Sequence, residues 1–79
     1  MTVEEIYERL NGVFREVFDD DDIEVNASTT ADDIEDWDSL EHINLVNAVE
    51  SEFGIKFTMA QLQGFKNVGE MVDIIVSLV

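Results

Sequence analysis

The chain has 79 residues, with no cysteine, no proline, one histidine, and nineteen acidic residues against four basic ones, a formal net charge of −15. That length allows one small domain, residues 1–79, with a thin core, and a hydrophobic share of 46% is too high for a disordered chain. The missing thiols exclude a disulfide scaffold and thiolate metal sites, the single imidazole argues against zinc, and the charge argues against nucleic acid and anionic membranes.

Val3, Ile6, Leu10, Val13, Phe14 and Val17 recur at helical spacing, which predicts an amphipathic helix over 3–17. Thr2 and Glu5 have the capping-box spacing at its start. Residues 18–38 follow as a long loop. Residues 19–38 hold ten acids and no base, two-thirds of the net charge. A loop of this length needs packing of its own, and Phe18, Ile23, Val25, Ile34 and Trp37 are its candidate anchors.

A second helix is expected over 39–53, boxed by Asp38 and Glu41 and ended by Gly54. Its apolar stripe is read as Leu40, Ile43, Val46, Val49 and Phe53, with Leu45 beside it. On that reading Leu40 turns to the core and leaves Ser39 facing out. Thr58 with Gln61 opens a short helix that Gly64 ends. Asn67 with Glu70 opens a last one carrying Val68, Met71, Val72, Ile75, Leu78 and Val79. Ile23-Glu24-Val25 and Ile55-Lys56-Phe57 alternate but are too short for an independent sheet, and both are read as extended loop. The expected fold is all-α: a small four-helix bundle, three helices longer and one short, with a long acidic loop between the first two.

Catalytic readings fail on these residues. His42 follows Ser39 by three on one helix, yet nothing supplies an oxyanion hole or a third group to orient the base. An EF-hand loop started at Asp20 would put Val25 at position 6 and Ala31 at position 12, where glycine and glutamate belong. No specific metal site is therefore expected, only diffuse cation binding. The N-terminal residues have no basic region and no apolar core of a leader, so the cytoplasm is the expected location.

Ser39 stands out. It sits in Asp36-Trp37-Asp38-Ser39-Leu40 at the start of the second helix, where unpaired backbone N–H groups favour an attached phosphate. Asp38 is placed to cap the helix or to help hold a metal ion during a phosphoryl-type transfer. Asp38-Ser39-Leu40, followed by a helix running into Glu50-Ser51-Glu52-Phe53-Gly54-Ile55, resembles the acyl carrier proteins, and the order of elements along the whole chain fits that family.

The resemblance implies a mechanism. A phosphopantetheinyl transferase using coenzyme A attaches 4′-phosphopantetheine to Ser39, with Asp38 and Leu40 completing the motif. The arm's thiol then carries an acyl group as a thioester, so a chain without cysteine borrows its thiol. The protein is on this view a non-catalytic monomeric carrier, delivering intermediates to enzymes with basic surfaces in fatty-acid or related lipid or secondary-metabolite biosynthesis. Asp38, Glu41, Glu50 and Glu52 take the role of partner recognition, and Ile43, Val46, Phe53, Ile55, Leu62 and Ile75 that of acyl-pocket lining. Asp36-Trp37 replaces the Gly-Ala usual before Asp-Ser-Leu in fatty-acid carriers. Asn44 and Asn47 replace an acid and a methionine, and His42 is an addition. These departures resemble specialised carriers, including those distantly related to D-alanyl carriers. The alternative from another class is a small acidic interaction or cation-buffering module in which Ser39 only caps a helix.

Overall fold

The computed structural model describes residues 1–64 and 66–79. These form α1 (Val3–Val17), α2 (Ser39–Phe53), the short α3 (Met59–Gly64) and α4 (Val68–Leu78), with a 3₁₀ turn at Ala31–Asp33 in the α1–α2 connection. No strand forms among the described residues, and Ile55 and Phe57 are buried anchors of an extended link with Lys56 exposed between them. The all-helical fold is the one expected.

The helix starts follow the sequence closely, with one difference in detail. At each expected cap the side-chain oxygen accepts the backbone N–H three residues on: Thr2 from Glu5 at 3.1 Å, Asp38 from Glu41 at 2.8 Å, Thr58 from Gln61 at 3.1 Å, and Asn67 from Glu70 at 2.9 Å. Only Thr58 receives the reciprocal bond, its N–H donating to Gln61 Oε1 at 2.9 Å. Glu70 accepts instead from the Lys66 N–H, one residue further out, at 3.0 Å. One satisfied donor at the cap suffices to set the helix start, so the return bond is free to go elsewhere. Gly54 ends α2 in the left-handed region, φ 65°, which glycine enters without a Cβ penalty.

Ile6, Leu10 and Phe14 of α1, Leu45 and Val49 of α2, and Val68, Met71 and Ile75 of α4 are fully buried and form the centre of the core. Val25, Ile55 and Phe57 close it from the connections, and Tyr7, Ile34, Trp37, Phe53 and Leu62 pack against it half-buried.

The apolar stripe expected on α2 is corrected. Leu40 is 66% and Ile43 59% exposed, whereas Leu45, Val46 and Val49 are buried. The reason is geometric. Three residues turn a helix through about 300°, so each i, i+3 step falls about 60° short of a full turn. The series Leu40, Ile43, Val46, Val49 therefore walks half-way round the helix and cannot lie on one face. The buried face is centred on Leu45, Val46, Val49 and Phe53, and Leu40 projects from the side opposite Val49.

The long connection is ordered by α1 and α4. Arg15 Nε donates to the Ile23 carbonyl at 2.7 Å, and Asn11 Oδ1 accepts the Val25 N–H at 2.6 Å. Further on, the N–H groups of Val68 and Gly69 donate to the carbonyls of Thr29 and Ala27, at 2.8 and 3.0 Å. Two donors from the first turn of α4 are thus satisfied by the loop, and the loop gains two fixed points. All five expected apolar anchors lie in the core or pack against it.

Candidate functional site

Ser39 is the first residue of α2, exposed, and follows the capping Asp38 directly. The cap belongs to Asp38, whose carboxylate accepts the Glu41 N–H; the reading of Ser39 as merely a helix cap is overturned by that bond. The hydroxyl stands at the positive end of a 15-residue helix, where a phosphate group is favoured both by the dipole and by the unpaired first-turn N–H groups.

Folding brings the two ends of the acidic loop together. Asp19, just after α1, shares the rim of an open depression with Asp36, Asp38 and Glu41. These carboxylates come from both ends of the loop and from α2, and two of them, Asp38 and Glu41, stand within two residues of Ser39. Among the described residues no group of three or more histidine and carboxylate side chains that could hold a metal ion is found. Millimolar magnesium is expected to raise the melting temperature, because it relieves repulsion among these groups. Circular dichroism melts with and without the salt check this, and a fall in melting temperature would contradict it.

The other acids expected to meet partners are differently employed. Glu50 is half-buried, its Oε2 accepting the Phe57 N–H at 2.8 Å, so it fixes the α2–α3 link. Glu52 lies 3.5 Å from Arg9 across the exposed α1–α2 seam, a pairing that contributes little. Glu41 remains beside Ser39, its Oε1 accepting from Asn44 Nδ2 at a long 3.4 Å.

Of the residues expected to line an acyl pocket, Val46, Ile55 and Ile75 are core, Phe53 and Leu62 pack against it, and Ile43 stands outside on the exposed side. With Leu40, one turn away, Ile43 makes an apolar spot next to Ser39 and Glu41 that the stripe reading missed. Drawing α2 as a wheel at 100° per residue reveals it from sequence, because Leu40 then falls opposite Val49.

His42 is engaged by the end of the acidic loop. Its Nδ1 accepts from Trp37 Nε1 at 3.1 Å. No helix among the described residues is long and apolar enough to cross a membrane.

Comparison with known proteins agrees with this geometry. Residues 8–75 match the family described as phosphopantetheine attachment site. The chain is 35% identical to an acyl carrier protein of Petrotoga mobilis over 95% of this chain and 88% of that one. It is 31% identical to one of Coprothermobacter proteolyticus over 98% and 94%. Its fold matches the solution structure of a holo acyl carrier protein from Geobacter metallireducens with a TM-score of 0.85 and 44% identity, covering 90% of this chain and 82% of the other. An exposed serine after an aspartate cap, at the head of the second helix of an acidic four-helix bundle, together with these matches, leads to one conclusion: the chain belongs to the acyl carrier protein family, with its covalently bound 4′-phosphopantetheine.

Proposed function

We propose that Ser39 is the phosphopantetheine attachment point and that the chain carries acyl groups between enzymes of a biosynthetic pathway. The observation that carries this reading is the exposed Ser39 at the first position of α2, beside a cap that Asp38 already provides. The residues fit the group. The serine oxygen is open to a transferase, and the α2 N-terminus suits a phosphodiester. Once bound, the group supplies a thiol for thioester chemistry. The protein's own contribution is to present Ser39 at the head of α2 and to offer a docking face.

That face consists of Glu41 and the acidic rim for steering a basic partner, with Leu40 and Ile43 for the apolar contact. The partners are a phosphopantetheinyl transferase and acyl-loading, elongating or transferring enzymes with basic surfaces. Asp38 is engaged as the cap, and Glu50 and Glu52 contribute mainly to the field. Sheltering an acyl chain would require the core to part around Val46, Ile55 and Ile75, which are packed together here. Fatty-acid, secondary-metabolite and aminoacyl cargo are all compatible with this scaffold. The chain works as a monomer in the cytoplasm.

Incubation of the apo-protein with coenzyme A and a broad-range transferase should add the mass of one arm, and Ser39→Ala should abolish the gain. Because Asp38 is the cap, Ser39→Ala should barely change the unfolding midpoint, whereas Asp38→Ala should cost about 0.5–2 kcal/mol. A mass gain that survives Ser39→Ala would overturn the assignment.

A further inference from the structure

Away from the Leu40–Ile43 spot, the seam between α1 and α2 carries a second surface. Arg9 stands near Glu52 and Val17 near Glu41, so the two helices run antiparallel along it. Val13, Val17 and Ala48 floor its middle, and Glu16, Ser51 and Glu52 wall it, around an open trough of ≈ 490 Å³. Ala48, half-buried, brings only a methyl group to the seam, whereas its neighbours Leu45 and Val49 are fully buried in the core.

The trough continues toward Ser39. Val17 also lines the acidic depression formed with Asp19, Asp36, Asp38 and Glu41, so the two hollows meet at that residue. On α2, Glu41, Ala48 and Glu52 fall within about 20° of one line and span about 16 Å along the axis. Charge along this line is one-sided. Arg9 and Glu52, with Nη1 and Oε2 3.5 Å apart, form the one ion pair among the described residues. The far end is therefore neutralised, while Glu16 and the carboxylates nearer Ser39 have no basic side chain paired with them.

We propose that this trough is a second docking groove, taking a segment of a partner enzyme with an apolar side chain at Val17 and Ala48 and basic side chains toward Ser39. The floor accepts the apolar anchor by burial, and the acidic end attracts lysine and arginine. The uneven charge sets the direction in which the segment lies. A second copy of this chain does not supply such a segment. Its four bases, Arg9, Arg15, Lys56 and Lys66, are scattered along the sequence, and a charge of −15 on each copy is repulsive. The line of the trough and the Leu40–Ile43 spot lie about 130° apart around α2. An enzyme can thus hold the seam and leave that other face open. The groove does not depend on whether Ser39 is loaded.

The test therefore uses the unloaded full chain, isotope-labelled and titrated by NMR at low ionic strength. The probe is a synthetic helical peptide of about eleven residues, long enough to span about 16 Å, with leucines along one face and lysines and arginines gathered at one end. The groove predicts amide shifts centred on Val13, Val17, Ala48 and Ser51. A spin label on the basic end should broaden Asp36 and Glu41 more than Glu52. Ala48→Met, which fills the trough, should weaken binding about tenfold, as loss of an anchor contact does. Glu16→Lys, an exposed change that leaves the core untouched, should weaken it about threefold. Shifts confined to Leu40, Ile43 and Asn47 overturn the groove, and so does absence of binding. Undiminished binding by Glu16→Lys, or by a folded Ala48→Met, has the same consequence. Equal binding of a peptide with serine in place of leucine reduces the effect to diffuse attraction and overturns it too. Stronger broadening at Glu52 overturns the proposed direction.

Discussion

Phe14→Ala is expected to remove about 3–5 kcal/mol of stability, the range for a buried phenylalanine truncated to a methyl group. Total stability of ordinary domains is only about 5–15 kcal/mol, and a chain of this size falls at the lower end. A large unfolded population at room temperature should follow. Phe14 is fully buried and touches both Phe18, at 5.9 Å, and Trp37, at 5.3 Å between ring centroids. Its loss opens a cavity under the loop as well as under α1, so the damage reaches the serine. Urea unfolding followed by far-ultraviolet circular dichroism measures the effect, with Phe14→Leu as the variant that retains most of the apolar volume. A loss below about 1 kcal/mol for Phe14→Ala would mean that the site collapses around the gap, and that this ring is not the keystone of the core.

The helix boundaries were legible because local chemistry sets them. A side-chain oxygen followed three residues later by a backbone N–H needs no tertiary partner, and Thr2, Asp38, Thr58 and Asn67 all accept that bond, although the return bond of the expected box forms at Thr58 alone among them. The buried face of α2 was not legible from i, i+3 spacing, because that helix carries apolar residues in two directions. Leu45, Val46 and Val49 serve the core, while Leu40 and Ile43 sit on the exposed side. A helix whose apolar residues serve both a core and a docking surface blurs its own amphipathic signal. That blur coincides here with the functional helix.

Ser39 was legible from its motif, yet its surroundings were not. Nothing local announces that Asp19 will return to stand near Asp36 and Asp38, or that Trp37 will donate to His42. Both depend on the path of the loop. That path is fixed by bonds from remote elements: Arg15 to Ile23, Asn11 to Val25, and the start of α4 to Ala27 and Thr29. The apolar anchors gave the loop's order, and its hydrogen bonds give its shape. Glu50 illustrates the same limit. A glutamate on a helix reads as surface charge until the chain folds back and presents the Phe57 N–H to it.

The clamp between that loop and α4 yields the last prediction, a pair of identical substitutions with opposite signs. Gly12 lies exposed in the middle of α1, and a Cβ built there meets nothing within 4 Å. Gly12→Ala should therefore stabilise by about 0.5–1 kcal/mol, by removing the entropic cost of glycine in a helix. Gly69, in the first turn of α4, offers the same gain in principle. A Cβ there would stand 2.8 Å from the Ala27 carbonyl oxygen, 3.1 Å from Ala27 Cβ and 3.2 Å from Ala27 Cα. Backbone cannot rotate out of the way as a flexible side chain can. The loop must retreat, and the bonds from Val68 and Gly69 to Thr29 and Ala27 must lengthen. Overpacking of this kind costs about 1–3 kcal/mol, more than the helix gain at a terminal turn, so Gly69→Ala should destabilise. Urea midpoints of the two variants decide the matter, and hydrogen exchange at Val68 and Gly69 should quicken only in the second. Were Gly69→Ala to stabilise as Gly12→Ala does, the loop could shift without loss. The contact with α4 would then not be what holds the acidic approach to Ser39 in place.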